Sequence, residues 1–498
     1  MHHRLIDLEN KTDAQLAEVF AGIPPGVTFL DLSDNNLGNK TDAQLAEVFA
    51  TIPPGVTFLD LSDNNFGNKT GDELATAFAA IPISVTTIKL SDNNLGKITG
   101  DELAKVFAAI PEGVTALDWS GNNLGNIAGD KLALAFAAIS REVTSIDLRY
   151  NGLGKKTNAE LVLALEELPI GVTSLNLAGN ALGEKTGDQL AEVFAAIPPD
   201  VTFLDLSDNN LGNITGDKLA KAFAAIPTSV TTIKLSNNNL GNIAGDELDL
   251  MFAAFRIGVT SLDLSRNRLG EKTDVELVKA FAAIQTGLTF LDLSDNNLGD
   301  KIGDELDLVF AAIPIGVISL NLSSNRLDEK TDAELAKAFA AIRTGVTFLD
   351  LSRNRLGEKT SKGLTLIFAA IPEYIKSVNL AANGLFINKM SSVIDDILKA
   401  LGDNRERFIL TSNGESDLAR ALAPMVDLKN QKELPSEMVT HILSFFPGNS
   451  PKSRSNDAYQ KQLKDTEGYK HNSSKPSSHG GYQNQMEDTE NNTNTIKP

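Results

Sequence analysis

The residues able to do chemistry are few and badly placed for it. The histidines are His2, His3, His441, His471 and His479, all outside the repetitive stretch that fills most of the chain, and there is no cysteine. A Ser–His or Cys–His nucleophile has no imidazole to draw on there, and disulfide, thiolate and cysteine–zinc chemistry are excluded. The strings GNKT and GEKT resemble a phosphate loop faintly but lack its contiguous Gly-Lys-Ser/Thr core. They read instead as a turn glycine followed by a helix-capping threonine. Asn10, Asn39, Asn68 and Asn213 match glycosylation acceptors, expected to be unused in a chain without a signal peptide. Carboxylates are plentiful, yet they return in every unit, whereas a catalytic pair should break the repetition. The expectation is no enzyme, no cofactor and no metal.

The returning carboxylates form a column. Between two leucines of the recurring FLDLSDNNLG, one residue per unit faces outward: Asp31, Asp60, Lys89, Asp118, Asp147, Asn176, Asp205, Lys234, Asp263, Asp292, Asn321, Asp350 and Asn379. Aspartates stacked at strand spacing repel one another unless solvent screens them. Such a column is either a surface for a basic partner or a solvated default copied by duplication. Two flanking columns change along the chain. Asp34, Asp63, Asp92 and Asp208 give way to Arg266 and Arg353, and the following asparagine becomes Arg268, Arg326 and Arg355. Duplication alone would have kept Asp and Asn, so these arginines, with Tyr150, are candidates for orienting a partner of mixed charge. Phe29, Phe58, Phe203, Phe290 and Phe348 are either anchors or half-buried strand residues, and Trp119, at a leucine position, belongs in the core.

Stepping along the chain shows what carries these columns. Asn35, Asn64 and their equivalents recur every 29 residues as far as Asn383, without insertion or deletion, and Phe20, Phe49, Phe78 and Phe107 keep the same step. Residues 10–36 and 39–65 differ only at Gly22 against Thr51, a sign of recent duplication. VTFLDLS suits a short strand with one buried face. The next segment opens a helix with a Thr-x-x-Glu capping box, at Thr70/Glu73, Thr99/Glu102, Thr157/Glu160, Thr273/Glu276 and Thr331/Glu334. Leu74, Phe78 and Ile81 give it an inward stripe before Pro82 stops it. One unit cannot bury both faces, but a stack can.

The LxxLxLxxNxL pattern with a following helix, over about residues 6–413, resembles the leucine-rich repeat family, in its ribonuclease-inhibitor-like class. The resemblance implies an α/β solenoid: a horseshoe of 29-residue repeats with parallel concave strands and convex helices. It also implies that the repeated asparagine lies inside, bonding the backbone of adjacent turns. At ~4.8 Å between strands, the inner face is on the order of 60 Å along its arc, a surface for a protein rather than a small molecule.

Beyond Asn383 the pattern loosens. Phe408, Leu410 and Asn413 form a degenerate last unit, so the solenoid spans 1–413 and a helical cap 414–447. Within the cap, ELPSEMVTHILSFF is similar to the opening of an F-box. That family binds the Skp1 adaptor of ubiquitin ligases, and Leu434, Pro435, Glu437, Met438, Ile442 and Leu443 would carry the contact. Only the first helix of an F-box is present, and the alternative is a helix that packs on the cap. Residues 448–498 are polar and expected to be disordered. Their Glu487, Asp488 and Glu490 resemble the acidic export signal of Legionella-type (Dot/Icm) type IV effectors, whose leucine-rich repeat members share this style of unit.

Totals narrow the partners. A net charge of −20 argues against nucleic acid, which demands clustered Lys and Arg. No window reaches the ~18 apolar residues of a membrane span, and the N-terminus shows no signal-peptide run. The expectation is a protein-binding scaffold, exported by a type IV system into a host cell and gripping a basic host protein. A Skp1-recruiting adaptor is the alternative, and a protein that stays in the bacterial cytoplasm is a third reading.

Overall fold

Each unit folds in the order its pattern dictates. Phe29–Asp31 is a strand in which Leu30 points inward, and Leu32 beyond it is equally buried. A tight turn leads through one 3-10 turn at Leu37–Asn39 to the helix Asp42–Ala50. The same succession repeats through the computed structural model, which describes residues 1–284, 287–301, 305–402 and 405–413. All of these lie in the first of two compact units, Met1–Pro424. Fifteen strands, from His2–Arg4 to Phe408–Ile409, pair in parallel in strict chain order and form one open sheet. The register is the repeat itself: Phe29 lies opposite Phe58 and Asp31 opposite Asp60. The fold is an α/β solenoid, with Phe49, Phe78, Phe107 and their equivalents filling the space between strands and helices.

The expected capping boxes form at Thr70, Thr157, Thr273 and Thr331, each contributing about 1 kcal/mol. At Thr99 only half forms: its hydroxyl accepts from the Glu102 N–H. Glutamine completes the box at Thr12, Thr41 and Thr186. The helices end sooner than expected. Gly71–Phe78 stops before Pro82, so Ile81 is buried in the following turn rather than on a helical stripe. The Pro82 carbonyl there accepts from the Val85 N–H at 3.0 Å, turning the chain into the next strand.

The solenoid also starts earlier than its period suggests. His2–Arg4 pairs with Phe29–Asp31, so His2 and His3, read as lying outside the repeats, belong to the first strand. This unit lacks two residues of the turn, and its register step is 27 rather than 29, which hid it from the count. The asparagines behave as the resemblance implied. Asn64 donates from Nδ2 to the carbonyls of Leu32, Leu61 and Ser62 at 2.9–3.0 Å, while its Oδ1 accepts from the N–H groups of Asn35 and Leu37. The lysines of GNKT and GEKT form a second internal column. Lys40 and Lys185 are buried, and each donates to the carbonyl one unit earlier, of Lys11 and Lys156, at 2.7 Å. Elsewhere Ile98, Ile127, Ile214 and Ile243 occupy the column, also buried. These lysines satisfy backbone groups of the stack.

Candidate functional site

The aspartates between the leucines do face away from the core, but they are not free. In each, Oδ1 accepts from the backbone N–H two residues on: Ser33 to Asp31 at 3.0 Å, Ser120 to Asp118 at 2.9 Å, Ser207 to Asp205 at 3.0 Å and Ser352 to Asp350 at 2.8 Å. Asp60, Asp147, Asp263 and Asp292 do the same. Asn176, Asn321 and Asn379 offer the same acceptor, which is why Asn replaces Asp there. At its Asp and Asn positions the column therefore uses Oδ1 to brace the turn, with or without charge, whereas Lys89 and Lys234 dispense with that bond. Asp31, Asp60, Asp118, Asp147 and Asp350 are buried, more so than a solvated ladder would be.

The expected repulsion is broken at intervals. Among the described residues no more than two aspartates stand in succession, because Arg4, Lys89, Asn176, Lys234, Asn321 and Asn379 separate them. Lys89 lies 3.4 Å from Asp60, and Asn321 and Asn379 donate to the second oxygens of Asp292 and Asp350 at 2.9 and 3.0 Å. At two of the adjacent pairs, Asp118/Asp147 and Asp263/Asp292, protonation of one carboxylate is favoured. Burial, then the charge of Asp118, pushes Asp147 up to about 7. Burial, then Asp263, pushes Asp292 up to about 6. Burial raises Asp205 as well.

The columns on either side of the asparagine share a backbone constraint that the sequence alone did not reveal. Asp34 and Asn36, Asp63 and Asn65, and their equivalents all have φ near +55°. Asp, Asn and Gly tolerate this left-handed region best, and other side chains are strained in it. Tyr150, Arg266, Arg268, Arg326, Arg353 and Arg355 occupy it too.

Tyr150 heads the most distinctive cluster. Its ring lies over Gly179 of the next unit, where a Cβ would come within 2.2 Å of it, and its hydroxyl donates to Asp208 two units on at 3.3 Å. Burial and the Asp208 charge raise the phenol, keeping it a donor. The residue is nevertheless 57% exposed. Beside it Arg149, which drew no notice in the sequence, stands 3.3 Å from Asp147 and 3.9 Å from Asp118. Arg149 with Asp118 and Asp147, and Tyr150 with Asp208, thus stand side by side, the aromatic pinned next to the ion cluster. The arginines lie further along. Arg266 pairs with Asp295 at 3.2 Å, and Arg326 with Asp300 and Glu329 at 2.5 and 3.1 Å. Arg268, Arg353 and Arg355 make no ion pair within 4 Å among the described residues, and all three are exposed.

The phenylalanines Phe29, Phe58, Phe203, Phe290 and Phe348 are half-buried on the strand face. Phe29 and Phe58 stack at 4.2 Å, and Lys234 lies over Phe203 at 5.3 Å. Trp119 is fully buried and stacks on Phe107 at 4.1 Å. Leu434, Pro435, Glu437, Met438, Ile442 and Leu443, with Glu487, Asp488 and Glu490, lie outside the described residues. No group of carboxylates or imidazoles among the described residues is arranged to hold a metal ion, and no described helix is long and apolar enough to cross a membrane.

A leucine-rich repeat family pattern matches residues 286–306. The leucine-rich repeat-containing protein LegL7 from Legionella pneumophila is 36% identical, with a TM-score of 0.52 over 61% of this chain and 93% of that one. This chain belongs to the leucine-rich repeat family. The yeast Rad7–Elc1 complex is far more distant: 13% identical, with a TM-score of 0.37 over 76% of this chain and 90% of that one. No curated protein matches. Leucine-rich repeat solenoids are in general scaffolds for protein interaction rather than catalysts, and this chain's repeats present a strand face of that kind.

Proposed function

We propose that the strand face grips a basic segment of a protein partner, with Tyr150 as its anchor. The observation that carries this reading is the pinning of Tyr150. An aromatic ring is held exposed in a strained backbone position, over a glycine, tied to Asp208 and beside Arg149. A rigid, exposed aromatic flanked by charge is the usual centre of a binding hot spot, and a partner's Lys or Arg would meet both the ring and the Asp208 carboxylate beside it. The partner is a host protein and the chain a type IV effector that acts inside the host cell. That part of the proposal is supported by the acidic Glu487, Asp488 and Glu490 and by the likeness to a Legionella protein. A second reading, an adaptor recruiting Skp1, has the F-box-like residues 434–446 in its favour.

Capture from eukaryotic cell lysate tests both, using the full chain, Tyr150→Asn and a chain lacking 434–446. Asparagine suits the left-handed φ, so Tyr150→Asn keeps the fold. A partner retained by the full chain, released by added salt and lost at least tenfold by Tyr150→Asn supports the strand-face reading. Equal retention by Tyr150→Asn overturns it. Skp1-type proteins lost only from the 434–446 deletion establish the adaptor instead. Export is tested by fusing the last 20 residues to a reporter, which should enter host cells only from bacteria with a working type IV system.

A further inference from the structure

We propose that the turn edge carrying Arg266, Arg268, Arg326, Arg353 and Arg355 is a second docking surface, one that takes an extended acidic stretch of polypeptide. The proposal rests on the reading above, that the partner is a protein, and adds the chemistry of a second part of it. The notable segment is FLDLSRNRLG at 348–357, which repeats FLDLSDNNLG at 290–299 with two differences. Arg353 stands where the other has Asp295, and Arg355 where it has Asn297. Both differences fall at φ of +55° to +57°. Both exchange a residue suited to the left-handed region for one that is strained there. Residual strain of that kind points to a use for the new side chain.

The internal partners do not supply that use. Arg266 and Arg326 are neutralised by Asp295, Asp300 and Glu329, but Arg268, Arg353 and Arg355 reach no carboxylate within 4 Å among the described residues. Arg355 acts on Asp328 only at longer range, lowering its otherwise raised pKa. The Arg-x-Arg pair at 353 and 355 repeats the one at 266 and 268, three strands away in the sheet. Three strand steps of ~4.8 Å make about 14 Å, which an extended chain spans in about four residues. The edge therefore suits acidic side chains four positions apart in an extended segment, each held by a guanidinium fork. A nucleic-acid backbone is a worse fit, because its continuous phosphates would meet the adjoining aspartate column. The net charge of −20 is screened beyond ~8 Å at physiological salt and does not prevent a short acidic contact.

The test is fluorescence anisotropy at physiological salt, with the full chain and two labelled 12-residue peptides. One carries glutamates at positions 2, 3, 6 and 7 in a Gly/Ser frame; the other carries lysines there. The double variant R353D/R355N restores the 290–299 segment and so retains the fold. The acidic peptide should bind the native chain, weaken with added salt and lose at least tenfold in affinity to R353D/R355N, while Tyr150→Asn leaves it unchanged. No binding to the native chain, or equal binding to the double variant, overturns the proposal. The lysine peptide keeps the two ideas apart. If it binds in a Tyr150-dependent way while the acidic one fails, only the arginine edge falls. If the acidic one behaves as expected and the lysine one never binds, the edge stands and the strand-face reading falls.

Discussion

The asparagine column inside the turns and the two columns flanking it are one residue apart in sequence, yet they obey different rules. Each internal asparagine makes up to five hydrogen bonds to buried backbone, and the position is Asn from Asn35 through Asn413. Each flanking residue is asked only for a positive φ, and there Asp and Asn share the position with Gly, Ser, Ala, Tyr and Arg. Hydrogen bonding to buried backbone dictates a side chain, whereas a φ requirement merely prices the alternatives. Drift, and with it function, is free to enter at the second kind of position. The aspartate column lies between these extremes: most units use its Oδ1 to brace the turn, with or without a charge, yet Lys89 and Lys234 do without it.

The largest effect should come from breaking the strict column. Asn122 donates to the carbonyls of Leu90, Trp119 and Ser120, and accepts from the N–H groups of Asn93 and Leu95. Asn122→Ala leaves those buried groups unpaired and should destabilise the neighbouring units by about 3–5 kcal/mol. The single tryptophan, Trp119, lies in the same unit and reports the loss as a lower denaturant midpoint in fluorescence.

The intermediate column should respond to pH. Asp147 holds its proton up to about 7 in the folded chain, above its value of 3.8 when unperturbed. As pH rises from 4 the unfolded chain releases this proton first, so stability falls until the folded group has titrated near 7. Asp147→Asn keeps the Oδ1 acceptor and should flatten that decline, gaining on the order of 2 kcal/mol at pH 8. Denaturation curves at pH 4.5 and 8 decide it, and an unchanged slope would mean that Asp147 is not held protonated. The smallest effect belongs to the permissive columns. Restoring Asp at 353 or Asn at 355 should stabilise by roughly 0.5–1 kcal/mol each, a shift of a degree or so in thermal midpoint.

Much of the solenoid was legible because its period is unbroken and its buried residues are apolar. Leu30, Phe49 and Asn64 take the places that their spacing assigned. The first unit was not legible, since a two-residue shortening of its turn removed the asparagine that marks every other unit. The lysine of GNKT could not be told from a surface residue, because its ammonium is buried only by groups from the preceding unit. The reach of Arg149 to Asp118 and the Tyr150–Asp208 contact were missed or half-seen for a related reason: they join residues 31 and 58 positions apart, which spacing within one unit does not reveal. The Asp and Asn preference of the flanking columns was visible, but its cause is a dihedral angle.

The asparagine bonds also have a direction. The N–H groups of Asn35 and Leu37 are completed by Asn64, and those of Asn64 and Phe66 by Asn93. In the asparagine ladder each turn is closed by the one that follows it. A solenoid cut after any unit would therefore leave the two ladder amides of its last turn without the asparagine that the next 29-residue unit supplies.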